Sequence, residues 1–198
     1  MQGPRQADRG MRVSRLALAI SLITACWLAA PARAGAHIFS KVVDGRLIAT
    51  SDGGADILKI SCGSDLLVKV DGLNPTTGPA TCPSIRRVLV FGNGNADTIN
   101  LSRVGPRNGF SNPALRHRHA VRAFGGASSD RISGSRLSDL LVGGPGHDLL
   151  RGRAGADLLR GGSGSDRLLG GLGPDRLLGG PGKDLLRGGG GNDVLIDS

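Results

Sequence analysis

Residues 143–196 read GGPGHDLLR, GRAGADLLR, GGSGSDRLL, GGLGPDRLL, GGPGKDLLR and GGGGNDVLI. One nine-residue unit is written six times without a gap. Gly opens each unit (Gly143, Gly152, Gly161, Gly170, Gly179, Gly188) and recurs at the fourth position (Gly146, Gly155, Gly164, Gly173, Gly182, Gly191). The sixth position is always Asp: Asp148, Asp157, Asp166, Asp175, Asp184 and Asp193. The eighth is always Leu: Leu150, Leu159, Leu168, Leu177, Leu186 and Leu195. The second is Gly except at Arg153. Two weaker units precede in the same phase, Gly125 to Ser133 with Asp130, and Gly134 to Val142 with Asp139. The repeat therefore fills residues 125–196.

Glycine opens backbone conformations closed to other residues, which sharp turns need. Three closing residues with one apolar side chain at their centre suit a short strand whose middle residue points inward. Such a unit cannot bury a face alone, but stacked copies can. If two units make one coil, units two apart lie about 4.8 Å from each other, the spacing of neighbouring strands. The Leu side chains then form a ladder, and so do the Asp. Two carboxylates about 5 Å apart repel by roughly 0.8 kcal/mol in water and about 3 kcal/mol at an effective dielectric of 20. A column that keeps Asp throughout must gain from the charge. A divalent cation between coils supplies that gain, taking carboxylate oxygens and outward carbonyls of the Gly turns. Hard, all-oxygen, loop-built ligation favours Ca²⁺ over Zn²⁺ or Mg²⁺.

The units resemble the nonapeptide G-G-x-G-x-D-x-U-x of RTX (haemolysin-type) calcium-binding proteins. The resemblance implies an all-β chain whose C-terminal part is a parallel β-roll with Ca²⁺ between its turns. It makes Asp148, Asp157, Asp166, Asp175, Asp184 and Asp193 side-chain ligands, adds Asp130 and Asp139, and sets the Gly of positions one and four at the metal. Looser likeness to small bacterial secreted calcium-binding proteins covers the first half, with Gly94 to Ile99 as a stray repeat and Asp56 and Asp65 as degenerate ones. The fifth position departs from the family's frequent Asn or Asp, reading His147, Ala156, Ser165, Pro174, Lys183 and Asn192. Arg153 and Lys183 bring basic groups next to the proposed sites.

The rest of the 198 residues supports export. Arg12 and Arg15 precede an apolar run from Leu16 to Ala30, followed by Ala32-Arg33-Ala34. This is the form of a signal peptide over residues 1–34, cut after Ala34. Ile23-Thr24-Ala25-Cys26 also fits a lipobox, which gives a lipid-anchored alternative at Cys26. After cleavage Cys62 and Cys82 remain, an even pair that reads as a disulfide in an exported chain, with two free thiols as the alternative.

Residues 35–104 read as short strands. Asp44-Gly45 sits between His37–Val43 and Arg46–Ser51 as a hairpin turn. Residues 105–124, with Arg116-His117-Arg118-His119, read as a basic loop or linker. The formal charge of +9 divides into +4 over residues 1–34, +5 over 35–124 and zero over 125–198. With aromatics at 3%, no clustered basic face with stacking platforms emerges, so nucleic acid is not an expected partner.

No Glu is present, which removes an EF-hand's closing ligand. Gly180-Pro181-Gly182-Lys183 lacks the spacing of a phosphate loop, and no H-E-x-x-H or G-x-S-x-G occurs. The expected chain is a secreted, non-enzymatic calcium-binding module whose exposed Leu/Arg face meets either a surface or extracellular polymer partner or only solvent. An extracellular enzyme with a catalytic head in residues 35–124 is the alternative.

Overall fold

Stacking of nine-residue units is visible as strand register. In the computed structural model, which describes residues 38–52, 54–65, 68–70 and 80–198, Leu149 pairs with Arg167 and Arg167 with Leu185. Opposite them, Leu158 pairs with Arg176 and Arg176 with Val194. Each step is one coil of two units. The expected signal peptide, residues 1–34, Cys26 included, lies outside the described residues.

Two sheets carry the coils. The first runs, in spatial order, through Phe39–Val43, Arg46–Thr50, Arg87–Asn93, Val121–Gly126, Asp139–Pro145, Leu158–Ser163, Arg176–Leu178 and Val194–Ile196. The second runs through Leu185–Gly190, Arg167–Leu172, Leu149–Ala154, Arg131–Ser133, Thr98–Asn100, Ile57–Cys62 and Val68–Val70. Among the described residues all pairings are parallel except two antiparallel ones at the start, Phe39–Val43 with Arg46–Thr50 and Ile57–Cys62 with Val68–Val70. The first hairpin turns at Asp44-Gly45, both at positive φ (49° and 71°), as a type I′ turn requires. The described residues form an all-β parallel roll.

Residues 35–104 and 125–198, expected as separate regions, share both sheets. Thr98 pairs with Arg131, and Val121 with Asp139. Residues 105–124, expected as a basic loop or linker, belong to this body. They hold the 3-10 turns Pro106–Asn108 and Pro113–Arg116, and from Val121 they are strand. Phe110 and Leu115 of this segment, like Leu101 and Val104 just before it, are fully or almost fully buried. It therefore folds as a long excursion of one coil, with its own apolar contents. A disulfide joins Cys62 and Cys82, whose Cα atoms are 6.0 Å apart. Gly109 sits against it, where a Cβ would come within 2.6 Å of the Cys62 sulfur.

The core is two apolar ladders facing each other. One is Leu58, Ile99, Ile132, Leu150, Leu168 and Leu186; the other ends Leu141, Leu159, Leu177 and Leu195. Leu150, Leu159, Leu168 and Leu177 have no exposed surface, whereas Leu195 is 44% exposed at the open last coil. Burying a Leu side chain contributes about 1.5–3 kcal/mol. The inner coils are thus fastened far better than the last.

Candidate metal centre

The glycines of the repeat serve two separate purposes. Positions two and four need positive φ, as at Gly144 (123°) and Gly146 (150°), where L side chains are strained. Position one needs space. A Cβ on Gly143 would run into Asp148 Oδ2 and lie 2.7 Å from the Gly161 carbonyl oxygen of the next coil. The same pair recurs at Gly152 (Asp157 Oδ2, Gly170 O 2.6 Å), Gly161 (Asp166 Oδ2, Gly179 O 2.6 Å) and Gly170 (Asp175 Oδ2, Gly188 O 2.6 Å). At each, a carboxylate oxygen and a carbonyl oxygen converge on one point.

Backbone bonds fix the carboxylates there. The Asp130 N–H donates to Asp148 Oδ1 at 2.8 Å, Asp148 N–H to Asp166 Oδ1 at 2.8 Å and Asp166 N–H to Asp184 Oδ1 at 2.8 Å. On the other edge Asp139, Asp157, Asp175 and Asp193 are linked in the same way at 2.8–2.9 Å. One oxygen of each rung is spent on this bond. The other, Oδ2 of Asp130, Asp148, Asp157, Asp166, Asp175 and Asp184, is buried with no hydrogen-bond partner. Among the described residues no Lys or Arg lies within salt-bridge distance of these columns; Lys69 pairs with Asp65, 3.1 Å away.

An ionised carboxylate left so is costly, and in practice it takes up a proton or a cation. Burial is the main cause that raises Asp148 to about 6 and Asp157 to about 7, helped by neighbouring Asp charges and opposed by the ladder N–H bonds. Asp130, Asp166 and Asp175 shift up for the same main reason. A dication reverses this preference by favouring the charged form. Among the described residues no three His, Cys, Asp or Glu side chains gather at one point. An ion here must draw on backbone oxygens, and the paired carboxylate and carbonyl oxygens are what Ca²⁺ takes.

Individual residues depart from the expectation. Asp139 lies in its column, but both its oxygens are used by Ser135, from the backbone N–H (2.6 Å to Oδ2) and the hydroxyl (2.7 Å to Oδ1). One coil earlier its strand position is Val121, so this column of acids starts at Asp139. Asp184 and Asp193 sit at the open end and are partly exposed. At Gly179 the next coil has no glycine to offer, and the Asp197 carboxylate takes the carbonyl's place, with Oδ1 2.7 Å from where the Cβ would be.

Asp197 was not foreseen, although it occupies the first position of a ninth unit. Asp65 is an exposed turn residue bound to Lys69 and lies outside both columns. Asp97 and Asp56, by contrast, continue the longer column: Asp97 N–H donates to Asp130 Oδ1, and Asp56 N–H to Asp97 Oδ1, both at 2.7 Å. The stray repeat is framed from Gly92, with Asn93 at positive φ (77°) in the second position.

The fifth position has its own use. His147 N–H donates to Ser129 Oγ (3.1 Å), and Ser165 N–H to His147 Nδ1 (2.8 Å). Arg86, Arg87, Arg118, Arg122 and the two His of the basic segment line a depression on the surface.

Parallel coils, glycine turns and buried acid columns together define a calcium-binding repeat module. Residues 124–159, 133–168 and 160–195 match the family model of the RTX calcium-binding nonapeptide repeat (4 copies). Residues 124–195 are RTX calcium-binding repeats. Comparison with curated proteins and with solved structures gave no match. Among the described residues no helix is long and apolar enough to cross a membrane.

Proposed function

We propose that this chain is an exported, non-catalytic calcium-responsive module, whose roll folds when Ca²⁺ is held between coils. The observation that carries the reading is the row of buried, unpartnered Oδ2 atoms, of which those of Asp148, Asp157, Asp166 and Asp175 each converge with a glycine carbonyl from the next coil. Asp148, Asp157, Asp166 and Asp175 are the principal side-chain ligands, with Asp130, Asp184 and Asp193 on weaker coils and Asp139 tied to Ser135. Ca²⁺ supplies positive charge to oxygens that have no donor. The ladder N–H groups orient each carboxylate, and the position-one glycines keep the space beside it open.

Extracellular calcium modules bind at about 0.1–1 mM, so the roll would be folded outside the cell and largely unfolded in a calcium-poor cytoplasm. That matches the signal-peptide form of residues 1–34. The outer face supports a binding role. Leu149 lies between Arg131 and Arg167, and Leu169 between Arg151 and Arg187, so in these two rows Arg does not stack directly on Arg. The partner this face suits is a surface or extracellular polymer. Circular dichroism of the purified chain with calcium and with chelator tests the proposal. A β signal that appears only with calcium supports it, and an unchanged signal in chelator removes it.

A further inference from the structure

Residues 124–195 account for the repeat pattern, yet the longer acid column does not stop there. Going towards the N-terminus, its rungs are Asp130, Asp97 and Asp56, at sequence separations of 33 and then 41 instead of 18. Spatial repetition is nevertheless unbroken. Arg131 N–H donates to the Asp97 carbonyl and Thr98 N–H to the Asp56 carbonyl, both at 2.8 Å. Leu149 N–H to Asp130 (2.9 Å) and Arg167 N–H to Asp148 (2.8 Å) are the same bond inside the repeats.

The cradle is repeated too. A Cβ on Gly92 would meet Asp97 Oδ2 at 2.5 Å and run into the carbonyl oxygen of Gly125. That is the oxygen pair found at Gly143 with Asp148 and Gly161. Asp97 is 1% exposed, and its Oδ2 has no hydrogen-bond partner. Asp56, 2% exposed, has no partner for either oxygen.

We infer that Asp97 Oδ2 and the Gly125 carbonyl form a further divalent-cation site, of the Ca²⁺ class, outside the recognised repeats. Asp56 adds negative charge from the preceding coil. The row of cradles ends at that coil, because the place of the position-one glycine is taken by Ser51, whose backbone N–H bonds to the Phe91 carbonyl at 2.9 Å. A cation at Asp97 fastens the disulfide-bearing coils to the roll, so calcium orders both as one body. This inference rests on the proposed chemistry of the repeat turns, and its test separates the two.

Bound calcium is counted by equilibrium dialysis on the full chain, for wild type, Asp97→Asn and Asp166→Asn, with circular dichroism at saturating calcium as the check on folding. The expected result is one ion fewer in Asp97→Asn with the β signal retained. An unchanged count in Asp97→Asn, beside a reduced count in Asp166→Asn, overturns the site and leaves the repeats as proposed. No calcium bound by wild type overturns both. If Asp97→Asn does not fold, wild-type crystals grown in calcium and measured at long wavelength decide. An anomalous peak against Asp97 Oδ2 and Gly125 O supports the site, and peaks confined to the turns of residues 143–188 refute it.

Discussion

Exchanging Asp157 for Asn replaces one carboxylate oxygen with NH₂ and otherwise preserves shape. Asp157 Oδ1 accepts from Asp139 N–H at 2.8 Å, and the Asp157 N–H donates to Asp175 Oδ1 at 2.9 Å; Asn keeps both bonds. The new NH₂ falls where Oδ2 now faces the Gly170 carbonyl, so two converging acceptors become a donor and an acceptor. Without calcium the substitution removes the repulsion with Asp175, worth about 0.8 kcal/mol in water and about 3 kcal/mol at an effective dielectric of 20. The variant is therefore more stable than wild type in chelator, by about 1–3 kcal/mol.

In 10 mM calcium that advantage shrinks. A site with Kd of about 0.1–1 mM contributes about 1.4–2.7 kcal/mol at that concentration, and this is what the variant loses. The assay is the amount of TMAO needed to induce the β signal in chelator, together with Tm in 10 mM calcium. Asp157→Asn should need less TMAO, and the rise in Tm on adding calcium should be smaller than in wild type by about 2–4 °C per kcal/mol of binding lost. A variant destabilised equally with and without calcium would refute the reasoning.

In chelator, lowering the pH from 8 to 5 should strengthen the β signal. Asp148, Asp157 and Asp97, raised chiefly by burial to about 6, 7 and 6, bind more protons folded than unfolded, so apo stability falls as pH rises through those values. In calcium the same acidification should weaken binding, because protons compete for the ligands; a pH-jump dichroism series and a titration at two pH values check both signs. Leu159→Ala should cost about 2–5 kcal/mol and Leu195→Ala clearly less, since the first is fully buried between Leu141 and Leu177 and the second is 44% exposed; calcium-saturated urea melts compare them. Arg153→Gly should stabilise the calcium form by about 1 kcal/mol in the same melts, because Arg153 holds a φ of 87° where the other five repeats place Gly.

What the sequence reveals depends on the constancy of its period. From Gly143 onward each coil is 18 residues, so Leu150 over Leu168 and Asp148 over Asp166 follow from counting. Between Asp97 and Asp130 the coil swells by the excursion that buries Phe110 and Leu115, and counting loses the column even though the ladder bond is intact. The spacing of Gly92 to Asp97 was the remaining trace, five residues, as in every repeat. Two local effects were hidden for another reason. Ser135, at the second position where most units place Gly, turns its hydroxyl and N–H onto Asp139, and Asp197 supplies a side-chain oxygen where the inner coils supply a glycine carbonyl. Both depend on which atom reaches a given point, and residue type alone does not fix that.

Calorimetric titration of calcium into the chelator-treated chain at pH 7.5, with circular dichroism recorded at each addition, tests the central claim most directly. The account predicts several ions bound per chain, with β structure and heat appearing together. A full β spectrum before the first addition, with no heat on titration, would contradict it.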